Sequence, residues 1–478
     1  MKAIPRQVLM ATLVPFLLGL TDLSAQELDF GAYFGDRTMR LDYFHSGSAG
    51  TEIISLDRIV SDGPWAGPHT RLVDDSNMGK FRFEVRDAES DSLLYSRGFA
   101  TIYGEWETTA EADEVYRTFH ESLRFPWPLE PVRVILYRRT GPDGFQPVWE
   151  TVVDPDSRFV NPADRGPGGT VHTIFENGPP TEKVDLVLVG EGYTEDQEAK
   201  FLADAHRLSD ALFGTEPFRS RRADFNVRAV LVPAERPGVN RPQVGEFRRT
   251  PLSTEFNIFD SERYLLTLDN RALREALSGV PYEFVEILVN EKQYGGGGIF
   301  NFQATVAVDT EFADYVFVHE FGHHFAGLAD EYYTSDVSYE TGGDTHPEPW
   351  EPNVTALHDP AALKWGDLVE PGTPIPTPWG KQAYERHSRE IRTARRALME
   401  RSAPESEFDE LFERQRRIEQ DLLATMQFAN RVGAFEGAMY EARGLYRPEI
   451  DCIMFTRAEF FCRVCRRAIE RIIDLYAG

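Results

Sequence analysis

His319-Glu-Phe-Gly-His323 decides how this chain is read. On a helix, residues four apart lie one above the other on the same face, so both imidazoles can reach one metal ion. Glu320 points beside that metal, where it can take a proton from a bound water. Two histidines and a nearby acid suit zinc. The pattern alone arises by chance at a low rate in a chain with 11 histidines, but its surroundings argue for it. An apolar, helix-compatible run, Phe312-Ala-Asp-Tyr-Val-Phe-Val318, precedes it, and Gly327, Asp330 and Glu331 follow. Asp309 or Thr310 is expected to cap the helix, with Glu311 in its first turn. Gly327 is placed to end it in a left-handed turn that swings the chain back under the metal.

The third ligand is expected just past that turn. Asp330 lies three residues after Gly327, the count of metzincin-type sites. Glu331 is the alternative, with longer reach but one residue further on. The acid not used would orient a histidine. Gly327 itself comes one residue later after His323 than in the HExxHxxGxxH pattern. His324 points off the ligand face. Far downstream, Cys452-Ile-Met454 offers Met454 as the methionine floor of such a site, although a methionine in such a run is usually core packing. Many metzincins carry a tyrosine two residues after that methionine; here the position is Thr456. Side-chain support for an oxyanion must then come from elsewhere, with Tyr440 and Tyr446 as candidates.

At 478 residues the chain is long enough for two or three domains. Its 41% apolar and 27% charged composition is that of a folded protein. The net charge of -27 excludes nucleic acid and anionic membrane as natural partners. Residues 1–25 read as a signal peptide: Lys2 and Arg6, an apolar stretch over residues 8–20, then Leu23-Ser-Ala25 before a cut at Gln26. No later segment is apolar enough for a transmembrane anchor. The expectation is an exported protein, secreted or periplasmic, and a monomer. Three cysteines, Cys452, Cys462 and Cys465, predict one disulfide from Cys452 to one of the other two, with one thiol left over. Cys462-Arg-Val-Cys465 lacks a second CxxC or paired histidines, so zinc is not expected there.

Residues 26–158 read as an all-β sandwich domain; Phe81-Arg-Phe-Glu-Val85 alternates with period two, and Val132-Arg-Val-Ile-Leu-Tyr137 is β-branched and apolar. Residues 161–169 form a linker by composition. Beyond it, Val184-Asp-Leu-Val-Leu-Val189, residues 225–232 and residues 284–289 are strands, and Thr194 with Gln197 is a capping box opening a helix to about Phe213. Strand, helix and strand imply an α/β (α+β) catalytic domain over residues 165–478. The glycine run Tyr294-Gly-Gly-Gly-Gly-Ile299 leads into a β-prone segment. It marks either a close backbone approach, with Gly296, Gly297, Gly298 and Ile299 lining a peptide-binding edge strand, or a loop feeding a core strand. Residues 380–428 interleave Arg and Glu and read as a solvated helical insertion broken at Pro404.

The stretch from His319 to Tyr332 resembles the signature of the bacterial IgA metallopeptidase family, a metzincin-like group. Val184 to Tyr193, Glu216-Pro-Phe218, Phe225-Asn-Val227, Tyr294 to Phe302 and Cys452-Ile-Met454 are similar to its catalytic domain. The β-rich segment is similar to the domain that often precedes it. The resemblance implies a metzincin-like zincin fold and one catalytic zinc held by His319, His323 and a nearby acid. Glu320 would be the general base toward a zinc-bound water in an endopeptidase acting on protein or peptide. It does not imply that the substrate is IgA. Calcium has no loop pattern here, only acids such as Asp330, Glu331 and Asp344. The competing readings are a secreted binding protein with a non-catalytic zinc site, and a zincin whose third ligand is a glutamate on a following helix.

Overall fold

The computed structural model describes residues 28–142, 144–334, 346–401 and 403–477. The expected signal peptide and Asp344 lie outside them. After a short helix α1 (Phe30–Tyr33), strands β1 (Phe34–Ser48), β2 (Thr51–Pro64), β3 (Phe81–Asp87), β4 (Leu93–Phe99), β5 (Arg117–Pro128), β6 (Val132–Arg139), β7 (Phe145–Val153) and β8 (Val160–Asn161) form two four-stranded sheets, in the orders β5-β1-β2-β8 and β4-β3-β6-β7. Helices α2 (Ile102–Trp106) and α3 (Glu111–Glu114) interrupt them. Inward residues such as Leu41, Phe83, Phe125, Val134 and Leu136 share one core between the sheets.

The following strands are β9 (Thr170–Phe175), β10 (Val184–Glu191), β11 (Phe225–Leu231), the two-residue pair β12 (Thr254–Glu255) and β13 (Leu266–Thr267), then β14 (Phe284–Val289), β15 (Gly296–Ile299) and β16 (Gln303–Ala307). Six of them form a mixed sheet in the order β15-β16-β14-β10-β11-β9. The central four run parallel, and β15 and β9 close the edges antiparallel. β9 was not anticipated: none of its residues is buried, so they carry no buried-strand pattern. Every residue of β10, β11 and β14 is buried. That follows from cover on both faces and explains their continuous apolar runs. Leu186 and Leu188 face the core shared with helix α4 (Glu198–Gly214) and helix α6 (Ala313–Ala326), while Val187 and Val189 face α5 (Asn270–Ala276). The Thr194–Gln197 capping box is formed ahead of α4.

The charged segment folds into α7 (Lys381–Glu400) and α8 (Glu405–Ala424), broken at Pro404. These helices are not solvated all round. Phe408 and Phe412 pack on Phe312, Tyr294 and Tyr315, and Tyr384 packs on Phe455 at 4.9 Å. A hairpin of β17 (Phe435–Ala438) and β18 (Glu441–Arg447) and helix α9 (Arg463–Tyr476) complete the chain.

The β-rich region braces the end of β15. The Ala100 N–H donates to the Phe300 carbonyl at 2.9 Å, and Asn301 Nδ2 to the Gly98 carbonyl at 3.0 Å. Arg40 and Arg58 both meet Glu275 from that side.

Helix α6 lies directly on β15, and this explains the glycines. A Cβ on Gly296 would meet Val316 Cγ1 at 2.6 Å, and one on Gly298 would meet the Glu320 carbonyl oxygen at 2.4 Å. Gly295 and Gly297 face the other way, onto Phe256 and Tyr264. The alternation is that of a strand, and only glycine lets two backbones approach so closely. Gly298→Ala is expected to destabilise the fold by about 1–3 kcal/mol through overpacking. Gly50→Ala, in open space, should stay within about 0.5 kcal/mol. Urea unfolding of the two variants checks this, and equal midpoints would refute the close-approach account.

Candidate metal centre

Helix α6 begins at Ala313 with no side-chain cap. The expected caps do not form: Asp309 pairs with Lys200 at 2.8 Å instead. Its far end follows the sequence reading. Gly327 is left-handed (φ 56°, ψ 33°), and its N–H donates to the His323 carbonyl at 3.0 Å. The chain then turns back along the helix and delivers Asp330 to the two histidines.

His319 Nε2 and His323 Nε2 lie 3.1 Å apart, and Asp330 Oδ1 lies 3.2 Å from each. Donors of a tetrahedral zinc site at ordinary zinc–nitrogen and zinc–oxygen distances sit about 3.3 Å apart. Both far ring nitrogens face backbone carbonyls, His319 Nδ1 that of Ile453 at 3.0 Å and His323 Nδ1 that of Leu328 at 2.5 Å. With protons on Nδ1, each Nε2 lone pair points at the shared position. Tyr440 donates its hydroxyl proton to Asp330 Oδ2, and this holds the carboxylate in place.

The electrostatics call for positive charge at that position. Burial disfavours the protonated form of His323, yet Asp330 pushes its pKa up to about 9. Burial raises the Asp330 pKa, but the two histidines override it and hold the carboxyl far below the usual range. Two imidazoles and a carboxylate oxygen crowded on one buried point therefore fit a divalent cation. Burial raises Glu320, with Asp330 adding and the histidines opposing. Glu320 is grouped with His319 and His323, their donor atoms all within 4.8 Å.

The remaining sequence candidates separate. Glu331 turns the opposite way from Asp330. It is fully buried and accepts from Asn353 Nδ2 at 3.0 Å, so it is not at the histidines and does not serve there as the alternative acid. Met454 lies beneath the helix, its Sδ 3.2 Å from where a Cβ on Gly322 would sit. Its carbonyl accepts from the Glu331 N–H at 2.8 Å. His324 is buried, bonded to the Ile299 carbonyl and the Val285 N–H, and burial lowers its pKa to about 3. Thr456 donates to Asp451, and the Tyr446 backbone pairs with Thr355.

The peptide-edge expectation is corrected at Gly296 and Ile299. The Gly296 N–H and carbonyl already pair with Arg263 and Leu265 of the same chain, and the Ile299 carbonyl is taken by the Phe302 N–H and by His324, leaving Gly297 and Gly298 of that edge.

Three neighbours escaped sequence reasoning. Tyr332 stacks near His319 (6.3 Å between centroids, 18°), with its hydroxyl 3.3 Å from that of Tyr440. Tyr315 lies 5.5 Å from the His319 ring. Glu286, a charged residue inside an apolar strand, is buried with neither oxygen hydrogen-bonded among the described residues. Burial raises its pKa strongly, with Glu320 adding. The acid in the middle of Phe284-Val-Glu-Ile-Leu-Val289 was the available signal.

A mixed sheet with a helix laid on its edge strand, carrying two histidines and a carboxylate on one point, defines an α/β protein with a candidate metal centre. A family model described as IgA Peptidase M64 matches residues 173–473, and one described as Peptidase M64 N-terminus matches residues 29–150. The chain belongs to the M64 peptidase family and is accordingly a peptidase with protein as its substrate class. No curated protein sequence matches it. Among the described residues no helix is long and apolar enough to cross a membrane.

Tyr440→Phe removes the donor that orients Asp330. Metal affinity should fall about 10–100-fold with the circular-dichroism spectrum unchanged, as read by competition with a chromogenic chelator. Unaltered affinity would rule out this role for Tyr440.

Proposed function

We propose that this peptidase is a zinc-dependent endopeptidase of metzincin-like build, exported from the cell, with the metal held by His319, His323 and Asp330. The observation that carries the reading is the convergence of those three donor atoms at 3.1–3.2 Å. A left-handed glycine before Asp330 and Met454 under Gly322 support the metzincin-like description. Three protein donors leave a position open, which favours catalysis over a closed structural site. Among the described residues no glutamate from a later helix approaches the histidines as Asp330 does.

When bound, zinc would polarise the scissile carbonyl and acidify water at the site. The chain's own groups do the rest. The Ile453 and Leu328 carbonyls, facing Nδ1 of His319 and His323, set the tautomer that leaves each Nε2 free to meet the metal. Glu320 takes the proton from the attacking water and passes it to the leaving amine. The substrate runs extended beside Gly297 and Gly298, where a strand can add to the sheet edge. Because neutral imidazoles are required for metal binding, activity falls in acid.

Cleavage-site profiling on a proteome-derived peptide library tests this. The wild type should cut, lose activity to a chelator and regain it with zinc. Glu320→Ala should keep its zinc and lose about 10²- to 10⁴-fold in rate. Comparable turnover by Glu320→Ala would overturn the assignment of the base.

A further inference from the structure

The disulfide expected from the cysteine spacing is not formed. Cys452, Cys462 and Cys465 are free thiols, and Cys452 Sγ lies 3.8 Å from Cys465 Sγ. A disulfide would need about 2.05 Å. Glu331 joins them: the four donor atoms lie within 4.8 Å of one another, and Cys465 Sγ is 3.4 Å from Glu331 Oε1. All four side chains are at most 1% exposed.

We propose that Cys452, Cys462, Cys465 and Glu331 bind a second, structural zinc ion. Sulfur donors on a tetrahedral zinc sit about 3.8 Å apart, and a sulfur and a carboxylate oxygen about 3.6 Å apart, close to the separations observed. Four protein donors close the coordination, as a structural site requires. The local backbone is arranged as in a metal knuckle. Cys462 is the N-cap of α9, its Sγ accepts from the Cys465 N–H at 3.4 Å, and Cys452 Sγ accepts from the Cys462 N–H at 3.2 Å. Glu331 Oε2 is buried without a hydrogen-bond partner among the described residues. A carboxylate so placed, facing three sulfurs, is costly unless a cation meets it. The missing second CxxC, which argued against zinc from spacing, is replaced by Cys452 and Glu331, brought in from 10 and 131 residues upstream of Cys462. The thiols give up their protons to solvent as the ion binds.

A third grouping, Asp42, Asp57 and His120, needs no ion: Arg40 and Arg58 pair with Asp42, and Arg271 with Asp57.

The site sits behind the candidate catalytic centre. Asp330 and Glu331 are adjacent and face opposite ions. Cys452 begins the turn whose Ile453 carbonyl accepts from His319. The second ion would thus clamp the two segments that hold the catalytic metal in place.

Zinc counting on the purified full chain tests the proposal. The wild type should hold two ions and His319→Ala/His323→Ala one. That remaining ion, exchanged for cobalt, should show thiolate-to-cobalt charge-transfer absorption. All three cysteines should resist alkylation until chelator and denaturant are added. Cys462→Ser/Cys465→Ser should drop to one ion; if that variant does not fold, the wild-type and histidine-variant counts decide. A histidine variant with no zinc, or an intact mass two hydrogens short from a disulfide, overturns the proposal. A sulfur-bound single ion in the wild type, unchanged in the histidine variant, would uphold this site and sink the catalytic one.

Discussion

Two imidazole nitrogens and a carboxylate oxygen meet within 3.2 Å at a buried point, and the surrounding structure exists to keep them there. Such a cluster opposes folding unless positive charge settles it, because each group gives up water on burial. The scaffold therefore holds every donor from behind. Carbonyls of Ile453 and Leu328 take the Nδ1 protons, Tyr440 holds the far oxygen of Asp330, and the Glu331 N–H is tied to Met454. These partners come from the turn after α6, the hairpin of β17 and β18, and the turn before α9. The centre is thus a meeting of segments over a hundred residues apart.

The approach of α6 to β15 is the second constraint, and it serves the first. With side chains on Gly296 and Gly298 the helix would ride higher and carry His319, Glu320 and His323 away from the sheet edge. Glycine in a strand costs conformational entropy and gives up side-chain packing. The sequence accepts this four times in a row. The turn after β15 is then pinned by the β-rich region through Ala100 and Asn301, so that region steadies the edge beside which a substrate would lie.

Local signals were legible; distant ones were not. The HExxH helix, its left-handed end at Gly327, the capping box at Thr194 and the buried strands 184–189 and 284–289 all follow from periodicity or from residues a few positions apart. The start of α6 departs from the expected caps because Asp309 found a better partner in Lys200, a choice settled by tertiary packing. The helices of residues 380–428 read as solvated because charge dominates their composition. Phe408 and Phe412 nonetheless seat α8 on Phe312 and Tyr294. The approach of Glu331 to the cysteines and the role of Tyr440 depend on contacts across 100 residues or more, to which spacing is blind.

The adjacency of Asp330 and Glu331 joins these levels. One carboxylate goes to nitrogen donors at the cleft and the next to sulfur donors behind it, so a single short segment is loaded from both sides. A metal bound only at the histidines would leave that segment held by hydrogen bonds to Tyr440, Met454 and Asn353. A second ion among the cysteines would meet the buried Glu331 carboxylate with positive charge and fix the backbone from which Asp330 projects. A loop that is neither helix nor strand can then position a ligand as rigidly as the helix beside it positions the other two.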